Sequence, residues 1–359
     1  MKKPLKILLM ALLAIVLLFL CYFAYVMFSY SRLEDGLPLE VMGESDKIAE
    51  VGVPYDMLSF NIGFGAYEPD YGFFMDGGKE SRAFSEKRLT ANMKSIAGFI
   101  NSRKADICIL QEVDQDATRT YHLDERAFLT GELSYPCSVW SENWDSPFLL
   151  YPFTEPHGST LAGIMTFSNF GVTSALRTSL PIEKGLMKLV DLDRCYSVSR
   201  IPVSNGRELA LYNLHLSAYT SDGSIAEEQL KMLIDDMSAE YRKGNYVIGG
   251  GDFNKDLLGD SAAVFGVSGG DYTWAQPIPD GMFADTGLAL VVPEGKEGPV
   301  PTCRNADGPY NPEQYILTVD GFIVSGNVIA EAAEAIDTGF AYSDHNPVSM
   351  TFMLAEQEG

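Results

Sequence analysis

The sequence predicts an α/β sandwich, one domain of about three hundred residues behind a single N-terminal transmembrane helix. Three observations lead there. Short apolar runs that read as strands alternate with stretches of helical period. Acidic, amide and imidazole residues recur at the ends of those runs. No second linker and no internal repeat divides the chain. Composition agrees: 46% of the 359 residues are hydrophobic and 21% charged, which excludes both a disordered polyelectrolyte and a wholly membrane-embedded protein.

The first element is the apolar helix. Lys2, Lys3 and Lys6 precede an uncharged run from Ile7 to Phe28, which at 1.5 Å per residue spans roughly 30 Å, the thickness of a hydrocarbon core. A cleaved signal peptide would have an apolar region of about 7–15 residues ending in small residues. Here the run is longer and ends on Tyr25, Phe28 and Tyr30 without an A-x-A-like site, so an uncleaved signal anchor is expected. Lysines before the span and Glu34-Asp35 after it favour a cytoplasmic N-terminus, because positive flanks stay inside. The rest of the chain is then extracytoplasmic, at the cell membrane. Residues 29–52 mix Gly, Pro and charges without a period and read as a linker.

Strands are expected at Tyr55–Phe60, Ile107–Leu110, Gly163–Phe167, Leu209–Leu216, Tyr246–Gly249, Ile316–Val324 and Pro347–Leu354, the last alternating Val348, Met350, Phe352 and Leu354 inward. One helix is expected over Glu86–Lys104, where Leu89, Met93, Ile96, Ala97 and Ile100 share a face. A second covers Ser224–Lys243: Ser224 and Glu227 have capping-box spacing, Leu230, Leu233, Met237 and Tyr241 form the apolar stripe, and Gly244 supplies the stop.

Charge narrows the partners. With 26 basic against 49 acidic side chains the formal net charge is −23. Proteins that neutralise nucleic-acid phosphates carry a basic stripe, so nucleic acid is disfavoured as a partner. Five scattered cysteines do not make a disulfide scaffold, and no Cys/His cluster has zinc spacing.

Asn61, Glu112, His215, Asp252 with Asn254, Asp320, and Asp344 with His345 lie at or beside strand ends. Strand ends on one edge of a sheet converge on a cleft although distant in sequence. Carboxylates and amides suit a hard divalent cation such as Mg²⁺, with Mn²⁺ or Ca²⁺ as alternatives, and imidazoles move protons near neutral pH. Singly, each has an ordinary structural reading. Asn61 could cap a turn, Glu112 could be a solvated charge, and Asp252 and Asn254 after three glycines could form a turn. His215 could be a satisfied core imidazole, and Asp344-His345 before Asn346-Pro347 a simple loop. The other two histidines, His122 and His157, sit in polar loop sequence and are given no catalytic part.

Taken in order, Ser59-Phe-Asn61, Leu110-Gln-Glu112, Asn213-Leu-His215, Gly251-Asp-Phe-Asn254, Val319-Asp320-Gly-Phe and Ser343-Asp-His-Asn-Pro347 resemble the motifs of the endonuclease/exonuclease/phosphatase superfamily. That group includes deoxyribonuclease I, bacterial sphingomyelinases and inositol-phosphate phosphatases. The resemblance runs from about residue 55 to 354. It implies a four-layer α/β/β/α sandwich of the deoxyribonuclease I-like type that binds Mg²⁺ and cleaves a phosphoester by attack of water. By analogy the metal ligands are Glu112, Asn61 and Asp344. His345 binds or deprotonates the water with Asp320 fixing its tautomer, Asp252 and Asn254 orient the nucleophile and a phosphoryl oxygen, and His215 stabilises or protonates the leaving group. Whether Asp252 or His345 is the base is left open by the motifs.

The chain then divides into a cytoplasmic N-terminus (1–6), a transmembrane signal anchor (7–28), a linker (29–52) and a catalytic domain (53–359). The His215 strand resembles the deoxyribonuclease, sphingomyelinase and phosphatase branches rather than the abasic-site endonucleases. Glu228-Gln-Leu230 resembles the family's glutamine-containing helix. Two departures stand out: no second metal-proximal glutamate can be placed, and Ser168-Asn-Phe170 lacks the basic residue many relatives have there. The aromatic stretch Phe64 to Arg82 either walls the cleft or packs back on the core, with Lys79 and Arg82 as candidate phosphate contacts. Trp140 to Tyr151 either lines the same mouth or covers a sheet edge. The expectation is a membrane-anchored phosphoesterase acting on a small phosphodiester, a phospholipid head group or a phosphomonoester. The alternatives are an extracellular metal-dependent nuclease and a surface binding module that kept the fold and lost catalysis. No protein partner is implied.

Overall fold

The computed structural model describes residues 3–30, 32–182, 192–218, 224–268 and 274–356. Lys2, one of the flanking lysines, lies outside them. In chain order the elements are α1 (Lys3–Ser29), β1 (Leu37–Leu39), β2 (Val41–Gly43), β3 (Pro54–Asn61), α2 (Glu86–Arg103), β4 (Ile107–Ala117), α3 (Glu125–Glu132), β5 (Cys137–Leu149) and β6 (Gly158–Ser168). There follow β7 (Ser174–Ser179), β8 (Cys195–Pro202), β9 (Glu208–His215), α4 (Ser224–Arg242), β10 (Tyr246–Asp252) and α5 (Ser261–Phe265). The last are β11 (Leu288–Val291), β12 (Cys303–Arg304), β13 (Ile316–Leu317), β14 (Asp320–Ser325), β15 (Val328–Ala335) and β16 (Val348–Leu354).

These strands form two seven-stranded sheets, ordered β1-β7-β8-β9-β10-β14-β11 and β15-β16-β3-β4-β6-β5-β2, with β12 and β13 a separate ribbon. Period-2 alternation makes each sheet two-faced. Met57, Ile109, Leu211, Ile248, Phe322 and Phe352 meet between the sheets. The other faces carry the helices: Leu58, Phe60 and Leu110 pack with Leu89, Met93 and Ile96 of α2, and Tyr212, Leu214 and Val247 with Leu230, Leu233 and Met237 of α4. The expected α/β/β/α layering follows. Each of these fully buried side chains contributes about 1.5–3 kcal/mol.

Local signals match local structure. The α2 helix starts where Ser85 Oγ accepts from Arg88 N at 3.2 Å and stops at Lys104, whose φ of 54° is left-handed. All five residues of its predicted apolar face are buried. The stretch 29–52, read as a linker, instead supplies edge strands to both sheets: β1 pairs β7 and β2 pairs β5. Ala49 is buried between the sheets. Strands of three residues are too short to show a period, which is why sequence reading passes over them.

A buried polar tie locks the sheets in register. Gln111 Nε2 of β4 donates to Asn213 Oδ1 of β9 at 2.9 Å, and Asn213 Nδ2 donates to Leu110 O at 3.2 Å and Met165 O at 2.9 Å. Gln111 precedes Glu112 and Asn213 lies two residues before His215, so the tie holds the ends of the two sheets together where the chemistry gathers. All five cysteines are unpaired.

Candidate active site

Strand register assembles the site. Parallel β9 and β10 put His215 opposite Asp252, and antiparallel β10 and β14 put Asp252 opposite Asp320. Three residues far apart in sequence therefore form one row across three adjacent strands. From the other sheet, β3 ends at Asn61 and β4 carries Glu112. Glu112 has a φ of 56° at a break in the β4–β6 register between Leu110 and Val113. A bulge of this kind re-aims a side chain out of the alternating pattern. The loop before β16 brings Asp344 and His345, fixed by Ser343, whose hydroxyl donates to Asn61 O at 2.8 Å and accepts from His345 N at 3.2 Å.

Asp252 is the hub. Its Oδ2 accepts from Asn61 Nδ2 at 3.1 Å and lies 3.4 Å from His215 Nε2 and 3.8 Å from His345 Nε2, while its Oδ1 accepts from Asn254 N at 2.8 Å. The His345 Nδ1 stands 2.8 Å from Asp320 Oδ2. A carboxylate only accepts, so this contact selects the Nδ1–H form and leaves Nε2 facing Asp252 and Asn61. Thr302 Oγ1 in turn accepts from the backbone N–H of Val319 and Asp320, at 2.9 and 3.0 Å, and seats that carboxylate. Asp252, Asp320 and His345 offer three donor atoms within 4.8 Å of one another.

The Gly249-Gly250-Gly251 run before Asp252 is a packing requirement rather than a turn. A Cβ at Gly250 would stand 2.7 Å from the Phe322 ring, and one at Gly251, whose φ is 143°, would stand 2.0 Å from Leu214 O. Glycine alone lets β10 approach β9 and β14 closely enough to bring the carboxylates and imidazoles together.

Asn61 is oriented differently from the ligand role expected of it. Its Oδ1 accepts from Gly63 N at 3.0 Å, and its Nδ2 donates to Glu112 Oε1 at 3.2 Å and to Asp252. It both caps the turn and clamps two acidic groups, with its nitrogen rather than its oxygen turned toward them. Asn254 likewise has its Nδ2 engaged by Leu216 O at 2.8 Å. Gln229, of the glutamine-containing helix, accepts from Ser217 N at 2.9 Å and fastens α4 beneath the His215 strand end.

The electrostatics describe a dense anionic centre with two unlike imidazoles. Burial, then the Asp344 charge, raises Glu112, against the Arg119 and His345 charges. Burial raises Asp344 too, against His345 and Arg304. Asp252 is pushed up to about 7 by burial, which the His345 charge opposes and Asp320 reinforces. At His345 burial favours the neutral ring, but Asp320 and Cys303 outweigh it and hold the imidazole well above its ordinary value. His215 goes the other way: burial and then the Arg194 and His345 charges hold it well below. His345 is thereby the stronger proton acceptor of the two imidazoles and His215 the weaker.

A divalent cation fits this donor set. Glu112, Asp344 and Asp252 all resist ionisation together, which a cation among them would relieve. Asp320 Oδ1 is buried with no hydrogen-bond partner among the described residues. Oxygen donors of this kind suit magnesium or manganese.

Other expected residues fall elsewhere. Arg82 Nε donates to Pro156 O at 2.7 Å and Lys79 is exposed, so neither is drawn into the cluster. His122 is exposed and pairs with Asp116 at 2.5 Å, and His157 stacks on Trp144. Phe64, Tyr67, Tyr71 and Phe73 pack back on the α2 core. Trp140 to Tyr151 falls largely in β5, the strand next to the sheet edge.

Sequence reading missed Arg119, which is buried, makes a bidentate pair with Asp114 at 2.9 and 2.8 Å, and stands 3.7 Å from the Phe64 ring centroid. It missed Arg194, buried close enough to act on His215. Neither belongs to a motif, and only the spacing of Arg119 seven residues after Glu112 hints at a part.

The comparisons with known proteins agree with this fold. The family model described as Endonuclease/Exonuclease/phosphatase family matches residues 58–345. No curated protein matches the sequence. Among solved structures, the chain is similar to an endonuclease/exonuclease/phosphatase from Beutenbergia cavernae, with 18% identity, 84% of this chain and 72% of that one covered, and a TM-score of 0.59. It is similar to ANGEL2, a 2',3'-cyclic phosphatase in complex with adenosine-2',3'-vanadate, with 16% identity, coverage of 89% and 99%, and a TM-score of 0.56. It is also similar to the human Nocturnin catalytic domain with bound sulfate, with 16% identity, coverage of 88% and 98%, and a TM-score of 0.51. At these identities the likeness is one of fold.

Proposed function

The chain belongs to the endonuclease/exonuclease/phosphatase family, and we propose that it is a membrane-anchored, divalent-metal-dependent phosphoesterase whose catalytic domain lies outside the cytoplasm. The observation that carries the reading is the meeting of Asn61, Glu112, His215, Asp252, Asp320 and His345 through contacts of 2.8–3.8 Å. Glu112 and Asp344 would hold the cation, with Asp252 within reach. When bound, the metal supplies charge neutralisation at the phosphoryl oxygens.

The chain's own groups divide the remaining work. A water facing His345 Nε2 and Asp252 Oδ2 gives up its proton to that pair, which Asp320 holds in place through Nδ1. The Asn254 Nδ2 is occupied, so its Oδ1 is the atom available to orient that water. Neutral His215, with its proton on Nε2, donates a hydrogen bond to the departing oxygen, which takes its proton from bulk water. Asn61 keeps Glu112 and Asp252 apart by a shared amide, so neither carboxylate turns away.

The substrate class follows from charge and place. With a net charge of −23 on the whole chain, three of whose lysines precede the apolar helix, the domain repels long polyanions. A domain tethered by an apolar helix meets lipids and small phosphoesters. We therefore favour a small phosphodiester, a phospholipid head group or a phosphomonoester. The test is a panel under one magnesium concentration: an aryl phosphodiester, an aryl phosphomonoester, phospholipid vesicles and a supercoiled plasmid, each with an EDTA control. Turnover of a small ester or a lipid above plasmid nicking is expected. Rapid nicking with no small-ester turnover would replace this reading with a nuclease.

A further inference from the structure

The end of the apolar helix is fastened to a surface the active site does not use. Tyr22 Oη donates to Phe148 O at 3.2 Å and accepts from Leu150 N at 3.0 Å, and Tyr25 Oη accepts from Phe148 N at 3.1 Å. Val26, on the same face, is the buried residue of α1. The end of β5 and the residue after it therefore lie against the last two turns of the helix. The chain there runs Phe148-Leu-Leu-Tyr-Pro-Phe153, six uncharged residues in a strongly acidic chain. Its large side chains face solvent: Phe153 is 82% exposed, Tyr151 63%, Leu150 38% and Phe148 37%, with Met75 nearby in sequence to Phe74 at 55%.

Length sets the depth at which this surface stands. At 1.5 Å per residue the 27 residues of α1 extend about 40 Å, about 10 Å more than a hydrocarbon core. With Ile7 at the near boundary, about 20 residues reach the far boundary near Val26. Tyr25 then stands at the far interface, the depth that tyrosine prefers, with Tyr22 one turn (about 6 Å) inside it, and the backbone they hold lies at that boundary. We propose that residues 148–153 form an interfacial membrane contact, seating Phe148, Leu150, Tyr151 and Phe153 in the lipid head-group layer beside the helix. The proposal rests on α1 spanning the bilayer.

The contact bears on the cleft. The Tyr151 ring lies 5.7 Å from Phe74, Phe74 lies 4.8 Å from Phe73, Phe73 5.8 Å from Tyr67, and Tyr67 5.1 Å from Phe64, three residues after Asn61. An unbroken set of rings joins the bilayer contact to the loop that leaves the site. The domain is thus held by two points, helix and aromatic tip, which fixes the attitude of the cleft over the membrane instead of leaving it free on a tether.

The experiment uses the full chain in phosphatidylcholine vesicles, with Phe153→Trp in one sample and Leu18→Trp, at mid-helix, in another. Emission is read as the difference from wild type, with lipid brominated near the glycerol end of the acyl chains for the first probe and near its terminal methyl for the second. Loss of emission from both probes, with a blue shift at residue 153, is the expected result. Quenching of the helix probe with residue 153 unquenched overturns the interfacial contact and leaves the anchor standing. If neither is quenched, the anchor fails and the contact with it. Shielding of residue 153 from aqueous iodide that grows with protein density, without lipid quenching, assigns the surface to a second copy of the chain and also overturns the proposal.

Discussion

At the scale of single residues, the site depends on which atom each side chain turns inward. Asp320→Asn keeps the shape but offers an N–H as readily as an oxygen to His345 Nδ1, so the imidazole loses its fixed tautomer. The expected loss in kcat is about 10²–10⁴-fold with KM little changed, read from steady-state kinetics with a melting curve as the control for folding. His157 supplies a pH test away from the chemistry. Burial, with Arg119 also opposing the charged form, pulls it down to about 3 from an ordinary value of 6.5. The unfolded chain then binds a proton below 6.5 that the folded chain refuses until about 3, so stability falls as pH drops through that window. His157→Gln should flatten urea-unfolding stability between about pH 7 and about pH 4 by close to one proton's slope. An unchanged slope would mean that the ring is not held neutral. Residue identity was legible for Glu112, His215, Asp252, Asp320 and His345, because strand ends mark them. The inverted amide of Asn61 and the buried guanidinium of Arg119 were not, since neither orientation nor burial leaves a mark in spacing.

At the scale of elements, the β10 strand with its glycine run fixes the row of His215, Asp252 and Asp320. Gly251→Ala would put a methyl carbon 2.0 Å from Leu214 O at a left-handed φ, and the strain alone costs about 1–3 kcal/mol. A fall in the chemical-denaturation midpoint, with activity lost more steeply than stability, is expected. A variant as stable and active as wild type would contradict the close approach. Elements with a strong period, α2, α4 and β16, were readable from the apolar spacing. Others were not. Val328–Ala335 is rich in Ala and Glu, which favour helix, yet it pairs antiparallel with β16 at the sheet edge. Tertiary pairing overrides propensity there. The β5 strand was hidden by its mixture of Trp, Asn, Ser and Asp, and β1 and β2 by their shortness.

At the scale of the whole molecule, charge governs what reaches the cleft. A net charge of −23 opposes anionic substrates, and salt screens that field from about 10 Å at 0.1 M to about 3 Å at 1 M. Turnover per unit of a soluble anionic diester should therefore rise with ionic strength, the opposite of a protein drawn to polyanions by a basic surface. A fall would point to a cationic cleft mouth. The two-sheet architecture was foreseeable only through the resemblance that six short motifs carry, since alternating strands and helices alone give an α/β sandwich. The seating of the chain on its N-terminal apolar helix was not, because it depends on backbone groups of residues 148 and 150. The account stands most directly on one measurement, the Mg²⁺-supported hydrolysis of an aryl phosphodiester by wild type, His215→Ala and His345→Ala. Turnover that EDTA abolishes, that added Mg²⁺ restores, and that both folded variants lose by at least about 10²-fold is the predicted result. Hydrolysis that survives EDTA, or persists in either variant, would contradict it.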